Sequence, residues 1–172
     1  SFADALFRRG IYDLALREYF QFLQEQPAGH PLTDAVWFRC GECYRALGNP
    51  AAADQAWSRV TGTGGGPWKA RAGLRRSELM REAGRNEEAI GLLQEILASN
   101  PPAEEGAEAL FRLGDALEKT GRFSEAIQSY ERLSGTHSNS VFAVYSLLAE
   151  GTLRVVHSND LARGEARLKE VV

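Results

Sequence analysis

The sequence has little from which a chemical centre is built. It has two cysteines, three histidines and one methionine in 172 residues. Structural zinc takes four ligands at defined spacing, and catalytic zinc takes three plus an open position. His30, His137 and His157 are dispersed in or near expected loops, so no metal is expected. No apolar run approaches the roughly 18 residues that span a bilayer. Lysine occurs only at Lys69, Lys119 and Lys169, and formal net charge is -3 with a pI near 5.7. A nucleic-acid binder usually carries a strongly basic face, and nothing of that kind is expected here. Alternating apolar and polar positions bounded by hairpin turns, the mark of strands, are missing too. No secretory leader is visible. The chain begins at Ser1 and closes on Leu168, Val171 and Val172 without a polar cap, and it reads as an excerpt of a longer protein.

What the chain has is repetition. Ala15, Ala53, Ala89, Ala126 and Ala162 recur at gaps of 38, 36, 37 and 36. Five residues before the first four stand Gly10, Gly48, Gly84 and Gly121; four after stand Tyr19, Trp57, Leu93 and Tyr130. Phe22, Val60, Ile96 and Leu133 follow at seven, and Ala3, Gly41, Ser77 and Gly114 precede at twelve. Pro27 and Pro101 fall twelve after, where a helix has to stop. Glycine suits the tight turn between two helices, small residues let those helices approach, and large ones fill the seam. Asn86 before Glu87 and Glu88, and Ser124 before Glu125, are the expected helix starts. The pattern predicts ten helices near 1–9, 11–26, 32–47, 50–60, 67–83, 86–99, 104–120, 123–134, 139–157 and 160–172.

Trp37, Gly41, Tyr44, Ala53 and Trp57 resemble the signature of the tetratricopeptide repeat (TPR) superfamily. Leu110, Leu113, Gly114, Leu117, Gly121, Ala126 and Tyr130 repeat it with conservative changes. Arg76 replaces an apolar residue, so the third repeat is degenerate, and the fifth keeps only Ala162, in a register open to slippage. The resemblance implies an all-α fold, a right-handed TPR solenoid of about five helical hairpins in one domain, with repeats near 1–27, 32–60, 67–101, 104–138 and 139–172. Repeats longer than 34 residues, and Tyr12-Asp13-Leu14-Ala15 running on to Pro27, look most like bacterial envelope TPR proteins. These are the Tol–Pal-associated periplasmic type and the outer-membrane assembly lipoproteins, which points to periplasm or envelope.

Three features invite chemistry. Cys40-Gly41-Glu42-Cys43 has thioredoxin-like spacing, but it falls inside a helix rather than in a βαβ unit, and Gly41 is already required by the repeat. Both thiols are expected to be inert. The run Thr61-Gly62-Thr63-Gly64-Gly65-Gly66-Pro67 lacks the preceding strand and the Gly-Lys-Ser/Thr of a phosphate loop, and reads as a connector. Lys69, Arg71, Arg75, Arg76, Arg81 and Arg85 form a basic group that Glu78 and Glu82 partly neutralise. No nucleophile–base set appears, so the chain is expected to be no enzyme and to need no cofactor.

The TPR resemblance implies that the first helix of each hairpin lines a concave groove. Its residues here would be Phe38, Glu42 and Arg45; Leu74, Glu78 and Arg81; and Phe111, Asp115 and Glu118. They form an apolar ladder beside an acidic one that starts at Asp4. Chaperone-tail clamps of the superfamily use lysine and asparagine there, so acidic tails are an unsuitable ligand. Two readings stand. In one the groove takes a protein or peptide segment; in the other Glu42–Arg45 and Glu78–Arg81 are intrahelical pairs and the aromatic rings are partly buried. The second leaves the chain a structural scaffold or an oligomerisation segment of an envelope-assembly protein, with self-association through terminal helices.

Overall fold

A computed structural model describes residues 1–27, 29–62, 66–157 and 160–171. All regular structure among them is helical: α1 (Phe2–Arg8), α2 (Tyr12–Glu25), α3 (Thr33–Ala46), α4 (Pro50–Ser58), α5 (Trp68–Glu82), α6 (Asn86–Ala98), α7 (Ala103–Lys119), α8 (Phe123–Thr136), α9 (Val141–Val156) and α10 (Leu161–Lys169). The all-helical architecture predicted from the spacing is the one observed. The chain divides into two compact units, Ser1–Leu79 and Met80–Val172.

The turn inside each of the first four hairpins is built the same way. Gly48 and Gly121 have φ of 75° and 77°, a left-handed conformation that only glycine adopts without strain. Their N–H groups donate three residues back, to Arg45 and Glu118. The next residues, Asn49 and Arg122, donate five back, to Tyr44 and Leu117. This is a Schellman cap, and Gly10 and Gly84 make the same pair of bonds. The turn launches α2, α6 and α8 without a side-chain cap, whereas α4 is also capped by Asn49, whose Oδ1 accepts from the Ala52 N–H at 3.1 Å. That corrects two expected starts: α6 and α8 are entered from Arg85 and Arg122 without side-chain caps, and Asn86 and Ser124 lie within the helices.

In the first unit, Ala15, Leu16, Tyr19, Cys40, Cys43 and Ala56 form one buried cluster across α1–α4. Phe38, Ala53, Trp57, Val60, Ala72 and Leu79 form a second that includes α5. Gly41 is fixed by this packing, because a Cβ there would meet the Trp57 indole. Asp34 ties off the hairpin: its buried carboxylate accepts the backbone N–H groups of Thr61 and Gly62, both at 2.9 Å. Residues 63–65 of the glycine-rich run lie outside the described residues.

In the second unit, Gly114 stands against Tyr130 as Gly41 stands against Trp57. The fifth hairpin corrects the repeat register. Ala162 is exposed, while Gly164 is buried and a Cβ on it would come 3.0 Å from the Gly151 carbonyl. Leu168, four residues on, fills the seam that Tyr130 fills in the fourth hairpin. The crossing residue is Gly164, two positions beyond Ala162, which makes the last gap 38. Two facing glycines let α9 and α10 approach more closely than an alanine would, and this close fit takes the place of the expected one.

Candidate functional site

The predicted groove residues fall in both units, and each group has its own geometry. In the first unit, Glu42, Arg45 and Glu78 meet around a polar recess of about 310 Å³, together with Arg75, Phe7 and Tyr12. Arg75 joins two helices: its Nε lies 3.1 Å from Glu42 of α3, and its Nη1 lies 3.4 Å from Glu78 of its own helix. Asp4 accepts a hydrogen bond from the Tyr19 hydroxyl at 2.7 Å. Burial works against the Asp4 carboxylate, yet bonds from Tyr19 and Ser1 hold its pKa below the ordinary value. Phe38 and Leu74 are buried, at 7% and 1% exposure, and Phe38 packs on Trp68 with ring centroids 5.5 Å apart. Those two rungs of the apolar ladder belong to the helix packing.

In the second unit, Arg81 reaches Asp115 at 2.7 Å, and Lys119 stands 3.6 Å from the same carboxylate. Glu118 accepts from the Tyr130 hydroxyl at 3.5 Å. Burial, with Glu118 and Asp115 nearby, raises the Tyr130 pKa. Phe111 is half-buried inside an aromatic group, with Tyr130, Phe142 and Tyr145 at centroid distances of 6.0, 5.6 and 6.2 Å. Beside it α9 presents Val141, Val144, Tyr145 and Leu148 to solvent, between 48% and 71% exposed. Spacings of three and four put them on one helix face. Sequence reading passed over this face because it assigned no groove position to the fifth repeat. With Gly151 as its crossing residue, Leu148 is the counterpart of Phe38, Leu74 and Phe111.

Most of the basic group on and just after α5 is paired locally. Besides the Arg75 and Arg81 pairs, Arg76 bonds Asp54 at 2.8 Å, Arg85 bonds Glu88, and Arg71 lies over the Trp68 ring. The Arg76–Asp54 pair is why a charge is tolerated where the repeat calls for an apolar residue. Cys40 and Cys43 are both fully buried and unbridged. Burial pushes each thiol up to about 12, aided at Cys40 by the neighbouring Cys43. A reactive thiol has the opposite environment, exposed and electropositive. Among the described residues no group of three or more His, Cys, Asp or Glu is placed to hold a metal ion, and no helix is long and apolar enough to cross a membrane.

Two further features were not foreseen. One is an apolar groove of about 640 Å³ in the first unit, walled by α1, α2 and α3 with Trp68, and containing Phe2, Phe22, Leu32 and Val36. The other is an ionic group between α8, α9 and α10. Glu150 is fully buried, and its Oε1 accepts from Arg154 Nε at 2.9 Å and Arg167 Nε at 3.1 Å. Arg154 also reaches Glu131 and stands 3.7 Å from Asp160.

The tetratricopeptide repeat family model matches residues 1–60 and 74–139. The chain belongs to the tetratricopeptide repeat family. Solved structures agree on the fold. MamA from Desulfovibrio magneticus RS-1 is 18% identical with a TM-score of 0.73, over 99% of this chain and 89% of that one. YrrB, described as a TPR protein with an unusual peptide-binding site, is 15% identical with a TM-score of 0.69, over 99% and 81%. RapI in its apo form is 12% identical with a TM-score of 0.83, over 98% of this chain and 50% of that one. No curated protein matches the sequence. TPR domains are generally non-catalytic interaction modules, and protein binding is the function this family membership carries.

Proposed function

We propose that the chain binds a protein segment that presents apolar side chains and positive charge, and that Phe111, Tyr145 and Leu148 form the contact. The observation that carries this is the open aromatic and aliphatic face of α9 beside half-buried Phe111 of α7. Contiguous exposed apolar surface of this kind marks interaction sites. Asp115 and Glu118 flank it. Their own partners, Arg81, Lys119 and Tyr130, hold the carboxylates in place, and a basic ligand residue would share them. YrrB's described peptide-binding site supports the reading by analogy of fold alone. The longer repeats and the Tyr12–Ala15 stretch support a bacterial envelope setting, which fractionation of the native host would test.

The experiment is selection of displayed peptides on the full chain, followed by titration of a selected peptide against Tyr145→Ser. Tyr145 is 60% exposed, so its loss removes contact surface without opening the core. Weakened binding supports the assignment. Unchanged binding places the contact elsewhere.

A further inference from the structure

In the second and fourth hairpins the residue just before the crossing residue is buried and apolar: Cys40 before Gly41, and Leu113 before Gly114. In the third it is Arg76, whose charge Asp54 answers at 2.8 Å. In the fifth it is Glu150, which is fully buried. A carboxylate where the repeat calls for an apolar side chain breaks the local pattern, and such breaks concentrate at functional sites. Unlike Arg76, Glu150 is only half satisfied. Its Oε1 accepts from Arg154 and Arg167, but Oε2 is buried and accepts no hydrogen bond among the described residues. A buried acceptor is costly unless a donor meets it. Glu150 lines a recess of about 440 Å³ walled by α8, α9 and α10.

We propose that this recess binds a free α-amino acid, its ammonium group donating to Glu150 Oε2 and its carboxylate accepting from Arg163 and Arg167. Glu131 and Glu150 share the lining with Arg163 and Arg167. A ligand of one sign is repelled by half of that set, whereas a small zwitterion pairs with both halves. Arg167 uses Nε on Glu150 and Nη1 on Glu170, and its Nη2 is the donor assigned to the ligand. Arg163, with a side chain 75% exposed and 3.7 Å from Asp160, turns its guanidinium onto the same carboxylate. Glu170 is half-exposed and swings aside to admit the ammonium to the buried oxygen. The recess has the size of a small-ligand site. A second recess of about 240 Å³ shares Glu131, Arg167 and Glu170 with it and adds Ser134, Ala143 and Leu147, where an uncharged ligand side chain is received. None of these residues belongs to the contact of Phe111, Tyr145 and Leu148, so the two readings stand or fall separately.

Equilibrium dialysis of the full chain against labelled glycine, alanine, serine and leucine at millimolar concentration tests it. N-acetyl-leucine, which lacks the ammonium group, and leucinamide, which lacks the carboxylate, are the controls. At least one free amino acid should bind, and either blocked derivative should bind about tenfold more weakly than leucine, or worse, because each loses a charge-assisted hydrogen bond. Arg163→Ala removes an exposed side chain, should keep its helices by circular dichroism, and should weaken binding by a similar factor. Glu150→Gln, of the same shape, should do likewise. Failure of every free amino acid to bind, equal binding of the blocked derivatives, or a folded Arg163→Ala variant that binds as the wild type does would each overturn the proposal. Arg163→Ala retains Phe111, Tyr145 and Leu148, so its affinity for a selected peptide tests the peptide-binding reading independently.

Discussion

A Cβ placed on Gly41 would lie 2.2 Å from Nε1 of Trp57, the atom that donates to the Phe38 carbonyl at 3.2 Å. The smallest side-chain addition at the first helix therefore displaces the largest side chain of the second. Gly41→Ala should overpack the seam and cost about 1–3 kcal/mol. Ala126→Leu should do the same in the fourth hairpin, where Ala126 is fully buried. Urea denaturation checks both, and an unchanged midpoint for either would show that the crossing is looser than described.

The thiols provide a test at alkaline pH. The ordinary thiol value is 9.0, and both Cys40 and Cys43 are raised to about 12 in the folded chain. A raised folded value means that the unfolded chain ionises first, so the stabilisation is complete below pH 9 and falls as pH rises from about 9 towards 12. Burial raises Tyr19 as well, with its hydrogen bond to Asp4, and it adds to the same trend. Replacing both cysteines by Ala and Ser should flatten the alkaline limb while leaving helicity and peptide binding nearly intact. Measurable disulfide-exchange activity, lost in the double variant, would contradict their assignment as packing residues.

Much of the fold was legible because its determinants are local. A Schellman turn needs glycine at one position, and a close crossing needs a small residue opposite a large one. Both leave single-residue marks, which is how Gly48, Gly121, Ala53 and Ala126 disclosed the hairpins. The fifth hairpin misled because Gly164 replaces the alanine and Ala162 stands two residues away as a decoy. Longer-range determinants left no such mark. Asp34 is bound to Thr61 and Gly62 across 27 and 28 positions, and Glu42 to Arg75 across 33. An acidic residue on a helix face reads the same whether it points to solvent or to the next hairpin. For the candidate site, Phe38, Leu74 and Phe111 share one sequence register. Only packing against Trp68 and the α9 ring pair separates the buried members from the half-open one.

The ionic group between α8, α9 and α10 predicts a stability effect far from any predicted site. Glu150→Ala would leave Arg154, whose side chain is 10% exposed, without the carboxylate that aligns its Nε, and would release Arg167. Glu131 and Asp160 still face Arg154, so the loss should be about 1–3 kcal/mol, the cost of an unsatisfied buried group. Faster amide exchange confined to α9 and α10 would confirm the location. A loss spread evenly over the chain would contradict it.

Salt separates the two parts of the proposed peptide contact. Charge reversal at Asp115 and Glu118 should slow association more than it speeds release, and the effect should shrink as ionic strength rises. Stopped-flow binding over a salt series reads both rates. An effect confined to dissociation would mean that these carboxylates make close contacts with the ligand instead of steering it.

The most direct measurement compares Phe111→Ala with Gln128→Ala, an exposed position on α8, for affinity to the same selected peptide. Buried aromatic anchors dominate interface energetics, so Phe111→Ala should weaken binding by about 1–3 kcal/mol while remaining folded, and Gln128→Ala should leave it unchanged. Equal affinities for the two variants would contradict the account: the open face beside Phe111 would then not be where this TPR chain takes its partner.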